Sequence, residues 1–160
     1  MRNNETIRTS TSTFLTNIAT IGFLGHIPFA PGTFSSLFAL ALFLLTDLTI
    51  YAHFALILAG TLVGVYASTV AEKTLNEKDS KKIIIDEFIG FYVSVLYLPK
   101  TWGFALAAFL LFRFFDILKP LFIAKLEKTL SNGLGIMADD ILAGIYTNIV
   151  LQIWLLVFTT

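Results

Sequence analysis

The stretch HFALILAGTLVGVYASTVA, residues 53–71, decides how this chain is read, because it runs without a single Asp, Glu, Lys or Arg. A helix needs roughly 20 apolar residues (about 17–25) to cross the hydrocarbon core of a bilayer. Working outward, three more blocks approach that length: Ile83–Leu98, with Asp86 and Glu87 near its start; Trp102–Leu118, with Arg113 and Asp116 near its end; and Ile141–Phe158. A fifth, Phe34–Leu45, has the length at which a buried or re-entrant helix competes with a spanning one. Composition agrees: of 160 residues, 56% are hydrophobic and 14% charged, and the mean hydropathy is +0.81, which excludes an ordinary cytosolic globule. The expected fold class is therefore all-α, a polytopic membrane helical bundle with about 4–5 membrane-embedded helices. Residues 1–12 are polar and lack the apolar core and small-residue cleavage site of a signal peptide, so they read as a loose N-terminal tail. Residues 13–160 read as one membrane-embedded domain.

Eleven Lys and Arg balance eleven Asp and Glu. No global basic field exists to hold nucleic acid by counterion release. The absence of Cys excludes disulfides, thiolate zinc sites and cysteine nucleophiles. If the five blocks all span, their connections alternate sides. One side then receives Arg2, Arg8, Lys73, Lys78, Lys81, Lys82, Lys119, Lys125 and Lys128, the other only Lys100. The first side is cytoplasmic by the positive-inside rule. Tyr51, Tyr97, Trp102 and Trp154 then fall toward the outer interface, where amphipathic rings prefer to sit. The competing reading is a soluble bundle with EKTLNEKDSKK (72–82) as a solvated linker. Gly60 and Gly64 form a GxxxG pair suited to close helix packing, a spacing that also arises by chance.

Charges inside or beside apolar blocks are costly unless paired or wetted, so they mark function. Asp86, Glu87, Arg113, Asp116, Asp139 and Asp140 all fall at the cytoplasmic depth. Arg113, Asp116 and Lys119 share one helix face at i, i+3, i+6, and Pro120 stops that helix. Gly90 follows Asp86 by four and Gly144 follows Asp140 by four, so each acid sits above a residue that admits close approach. Plainer accounts exist for the parts: Asp139 and Asp140 offsetting a helix dipole, or Arg113 and Asp116 as a structural ion pair. Neither explains Asp86 and Glu87. Five acids around one guanidinium repel unless a cation neutralises them, and an all-oxygen donor set points to Mg²⁺.

A second feature precedes the first block. In GFLGHIPFAPGT (22–33), Pro28 and Pro31 fix φ, Gly32 permits a turn, and Thr33 is expected to cap a helix starting near Phe34. Free amides at that helix start suit a phosphate, although Pro-Gly-Thr is commonly only a cap. His26 offers a general acid or, more plainly, an interfacial histidine. Together these residues suggest chemistry on a lipid phosphate headgroup.

The runs HIPFAPGTFSSL (26–37), IIIDEFIGF (83–91), FRFFDILKPLFI (112–123) and NGLGIMADDILAGI (132–145) resemble, in order and spacing, the bacterial phosphatidylglycerophosphatase A family. The resemblance covers about Gly22 to Ile149, and one departure is Ser35, where that family commonly has Gly. It implies a lipid phosphatase domain that hydrolyses phosphatidylglycerophosphate to phosphatidylglycerol and inorganic phosphate with Mg²⁺, on the cytoplasmic face of the inner membrane, in phospholipid biosynthesis. Carried onto this sequence, the matching positions are Pro31, Gly32, Thr33, Asp86, Glu87, Arg113, Asp116, Lys119, Asp139 and Asp140. Asp86, Glu87, Asp139 and Asp140 are then expected to hold the metal, with Asp116 beside them in the catalytic set. Arg113, Lys119, Gly32 and Thr33 are expected to bind phosphate. A water activated by the cation and an aspartyl phosphate both fit as routes of attack. The runner-up, a non-enzymatic cation transporter or channel subunit, fits the acids but leaves Arg113, Lys119 and the APGT turn unexplained. A histidine-dependent lipid phosphatase and a CDP-alcohol phosphotransferase are excluded by their missing motifs. The oligomeric state is left open.

Overall fold

The structure, a computed structural model, describes residues 2–120 and 130–158, with side chains from Ser10 onward. Among the described residues all regular structure is helical: α1 (Arg2–Ala19), a 3₁₀ turn (Leu24–His26), α2 (Pro31–Leu45), α3 (Ile50–Leu75), α4 (Ile85–Ser94), α5 (Trp102–Leu118) and α6 (Gly133–Phe158). Helix α1 begins inside the segment that the sequence reads as a loose tail.

Local signals set the boundaries. Thr49 accepts a hydrogen bond from the Ala52 amide (3.3 Å) to start α3, and Thr101 accepts from Phe104 (3.3 Å) to start α5. Left-handed residues end these helices, Asn76 (φ 52°) after α3 and Lys119 (φ 43°) after α5, the latter just before Pro120. Helix α2 starts earlier than expected. Pro31 occupies its first position, Ala30 is the left-handed residue before it (φ 46°), and Thr33 lies inside the first turn rather than capping it.

Helices α3 and α6, 26 residues each, are long and apolar enough to cross a membrane. Only 22% of each apolar window is buried, whereas the core helix of a soluble protein is mostly covered. Leu58, Leu62 and Tyr66 on α3 and Ile153, Trp154 and Leu156 on α6 face outward. Block 83–98 contracts to the ten residues of α4, about 15 Å of helix, half the thickness of a hydrocarbon core of about 30 Å. Helix α4 is instead the centre of the bundle, packed against α2, α3, α5 and α6, with Phe91 and the facing Phe112 of α5 fully buried.

Glycines allow the tight crossings. A Cβ on Gly90 would come within 2.7 Å of the Asp140 carbonyl and of the Phe112 ring, and one on Gly144 within 2.5 Å of the Gly90 carbonyl. Backbones of α4 and α6 therefore touch where each acid is followed four residues later by glycine. On α3, a Cβ on Gly60 would strike the Ile89 side chain and one on Gly64 would come within 2.6 Å of Met137 Sδ, so the GxxxG pair is used for packing.

The connections alternate between two ends. At one end Ile84 N donates to Ala19 O (2.9 Å), and Gly25 is pressed against the Lys82 carbonyl, joining the α1–α2 and α3–α4 connections. At the other, the α2–α3 and α4–α5 connections meet in the Lys100–Asp47 ion pair (2.5 Å). Lys125 and Lys128 of the charge count lie outside the described residues.

Candidate active site

The first turn of α4 carries Asp86 and Glu87, and four neighbouring elements bring their own groups to it. From α6 comes Asp140, whose carboxylate lies with those of Asp86 and Glu87 so that one oxygen of each falls within 4.8 Å of the others. From α5 comes Arg113, whose Nη1 is 2.6 Å from Asp116 Oδ2 and 3.9 Å from Glu87 Oε1. The left-handed turn after α5 contributes Lys119, with Nζ 3.0 Å from Asp139 Oδ2. The start of α2 contributes Gly32, where a Cβ would collide with the Glu87 carboxylate and lie 3.4 Å from Arg113 Nη1. Only glycine lets α2 approach so closely.

Adjacent residues on a helix project about 100° apart. Asp139 and Asp140 are thereby divided: one faces Lys119, the other faces Asp86 and Glu87. Both are buried, and they sit six and seven residues into α6, whose first turn holds no acid. Neutralisation of a helix dipole therefore does not account for them, since that effect fades beyond the first turn.

The charge balance of this cluster is incomplete. Among the described residues Asp116 has Arg113 and Asp139 has Lys119, while Glu87 has a longer guanidinium contact at 3.9 Å and Asp86 and Asp140 lie beside it. Asp86 Oδ1, Glu87 Oε2 and Asp140 Oδ2 are buried without a hydrogen-bond partner, and so is Arg113 Nε. Leaving a charged group in that condition costs more than the roughly 1–3 kcal/mol of a neutral one. Three carboxylates with inward, unsatisfied oxygens are a hard, anionic donor set of the kind that divalent Mg²⁺ takes. The residues present fit such an ion, and the Arg113–Asp116 ion pair by itself leaves the oxygens of Asp86, Glu87 and Asp140 unaccounted for.

Other expected positions lie at the margin. Thr33 is half-buried in the first turn of α2, and its amide donates to Ala30 O (3.0 Å). His26 is exposed in the 3₁₀ turn with Nδ1 3.3 Å from Gly22 O. Sequence reasoning passed over what holds α4. Ser35, noted only as a departure from a pattern, buries its hydroxyl and donates to Ile84 O (2.5 Å), tying α2 to the residue before α4. His53 and Asn148, polar residues in apolar blocks, both reach the far end of the same helix. Their polarity was the available signal.

Residues 17–155 match the profile of the family described as phosphatidylglycerophosphatase A. A protein named phosphatidylglycerophosphatase A from Haemophilus influenzae is 39% identical over 147 residues, covering 88% of this chain and 90% of its own length. Its namesake from Escherichia coli is 34% identical over 132 residues (81% of this chain, 77% of its own). A protein named putative phosphatidylinositol-3-phosphatase from Bacteroides thetaiotaomicron is 36% identical over 138 residues (81% and 86%). No solved structure matches the chain. A match of that extent covers α2 to α5, α6 as far as Leu155 and every residue of the acid cluster, and on that ground the chain belongs to the phosphatidylglycerophosphatase A family and is a phosphatase.

Proposed function

We propose that the chain hydrolyses the terminal phosphomonoester of phosphatidylglycerophosphate to phosphatidylglycerol and inorganic phosphate, at the cytoplasmic face of the inner membrane and with Mg²⁺. In this reading α3 and α6 span the bilayer, and α2, α4 and α5 are embedded between them, giving about five embedded helices. The observation that carries it is the group of three buried carboxylates with unsatisfied oxygens beside an arginine whose Nε is also unsatisfied. A cation-binding site next to an anion-binding side chain suits a phosphate ester, which brings negative charge to a cluster already in excess of it.

Asp86, Glu87 and Asp140 would hold the metal. Once bound, Mg²⁺ supplies charge neutralisation and polarises a phosphoryl oxygen. Arg113 offers its planar fork to the phosphoryl oxygens, while Asp116 holds that fork through Nη1. Lys119 adds a point charge, held in place by Asp139. Gly32 keeps α2 against the Glu87 carboxylate and beside Arg113. In the overall reaction the bond between phosphorus and the glycerol oxygen breaks. An oxygen from water joins phosphorus, and the alcohol leaves with a proton.

The test is phosphate release from phosphatidylglycerophosphate in detergent micelles by the purified protein. The expected result is release with Mg²⁺, its loss on chelation by EDTA, and recovery on adding Mg²⁺ back. Phosphatidylinositol 3-phosphate and a soluble phosphomonoester are run in parallel. Faster release from either would replace the proposed substrate, and release that survives chelation would remove the metal.

A further inference from the structure

A ten-residue helix buried among others poses a problem at its C-terminus. Its last four carbonyls have no partner further along the helix, and Tyr92, Val93 and Ser94 are buried, where an unmet carbonyl is costly. Among the described residues every one of those carbonyls in α4 is met. Phe91 O accepts from Val95 N (3.2 Å) and Val93 O from Leu96 N (3.3 Å). Tyr92 O lies 2.9 Å from Nε2 of the buried His53, and because a carbonyl only accepts, that nitrogen carries the proton. Ser94 O accepts from Asn148 Nδ2 (3.0 Å), which also reaches Leu96 O (2.7 Å), and Gln152 Nε2 reaches the same Leu96 carbonyl (3.2 Å). The two long apolar helices thus spend His53 from α3 and Asn148 from α6 on the end of α4, and Asn148 and Gln152 on the Leu96 carbonyl two residues beyond it.

That end is mechanically linked to the acids. Helix α4 crosses α6 backbone to backbone at Gly90 and Gly144. Gly90 lies four residues from Asp86 and four from Ser94, so the crossing is a fulcrum with arms of about 6 Å on each side. Were α4 to tilt as a rigid rod about that crossing, displacement of its capped end would move Asp86 by a similar amount in the opposite sense. Displacements of about 1 Å are enough to cost roughly 100-fold in rate when they fall on reacting groups.

We propose that Asn148, supported by His53 and Gln152, is a positioning residue for the phosphatase site: by capping α4 at its far end it sets the distance of Asp86 and Glu87 from Asp140. This rests on the reading of those carboxylates as a cation site. Asn148 itself touches neither substrate nor metal.

The experiment compares Asn148→Leu, Asn148→Gln and wild type in detergent, with three readouts: kcat and KM for phosphatidylglycerophosphate per folded molecule, Mn²⁺ affinity by electron paramagnetic resonance, and thermal midpoint. Asn148→Leu is expected to lower kcat by about 10- to 100-fold with KM within about twofold, and to weaken Mn²⁺ binding by about tenfold or more. Asn148→Gln, which keeps an amide donor, is expected to recover most of both. The inference is overturned if Asn148→Leu lowers only the thermal midpoint, leaving kcat and Mn²⁺ affinity per folded molecule unchanged. Should that variant fail to fold, His53→Phe keeps a ring against Phe43 and Tyr92 while removing the donor, and is judged by the same criteria. Wild-type protein that binds Mn²⁺ but releases no phosphate would defeat the proposed reaction, while the Mn²⁺ arm would still decide the role of Asn148.

Discussion

The two ends of α4 are treated in opposite ways. At its C-terminus each carbonyl of the last turn has a donor, two of the donors being side chains carried by apolar helices, His53 and Asn148. At its N-terminus Asp86 and Glu87 keep buried oxygens with no partner, as does the facing Asp140. A protein able to satisfy one end so fully has the means to satisfy the other. The unsatisfied end is held open by the satisfied one. Stability and chemistry thus occupy separate ends of a helix of ten residues, and perturbing each end should have a different signature.

The largest effect is expected from Asp140→Asn. Phosphate release should fall by about 1,000-fold or more, because a cation site reduced from three carboxylates to two loses its charge match. Stability of the metal-free protein should move the other way, up by about 1–2 kcal/mol, since an uncompensated buried charge has been removed. Activity assays and thermal denaturation in EDTA measure the two. Equal losses in both would mean that Asp140 is merely structural and that the ends do not differ in kind.

Gly32→Ala comes next. The added methyl must displace the Glu87 carboxylate or push α2 away from Arg113. A drop of about 100-fold in kcat/KM is expected, with little change in secondary structure by circular dichroism. Retention of activity would show that the approach of α2 to Glu87 is not needed, and that the open end tolerates a wider spacing than the glycine imposes.

Much of this was legible in the sequence for stated reasons. Acids in apolar blocks are costly enough to be conspicuous, so Asp86, Glu87, Asp116 and Asp140 could be named with Arg113 as their cation. Glycines four residues after Asp86 and Asp140 announced a close approach, and α4 and α6 do touch there. Less legible was how Asp139 and Asp140 divide, since which of two adjacent acids faces Lys119 depends on the rotation of α6 in the bundle. The length of α4 was hidden too. Apolar residues 95–98 continue the block beyond Ser94, while the backbone turns out of the helix, with Tyr97 left-handed (φ 59°), and His53, Asn148 and Gln152 meet the carbonyls exposed there. The early start of α2 was missed because Ala30, not a polar residue, takes the left-handed position before Pro31.

The smallest effect is expected at the opposite end of the molecule, at the Lys100–Asp47 ion pair. Lys100 and Asp47 join the α2–α3 and α4–α5 connections, and the Asp47 side chain is 94% exposed. Exposed pairs contribute about 0–1 kcal/mol, because water screens them and ordering two side chains has an entropic cost. Lys100→Met also removes a donor to Thr46 O, a carbonyl in an exposed residue that water can reach. The variant should therefore keep phosphate release within about twofold of wild type and lose at most about 1 kcal/mol of stability. The α4–α5 connection that Lys100 anchors follows directly from the capped end of α4, so this variant asks whether the cap alone holds that end. Unchanged kinetics would place the restraint in His53, Asn148 and Gln152. A tenfold loss would mean that the connection shares it, and that the division between the two ends of α4 extends to the far surface of the bundle.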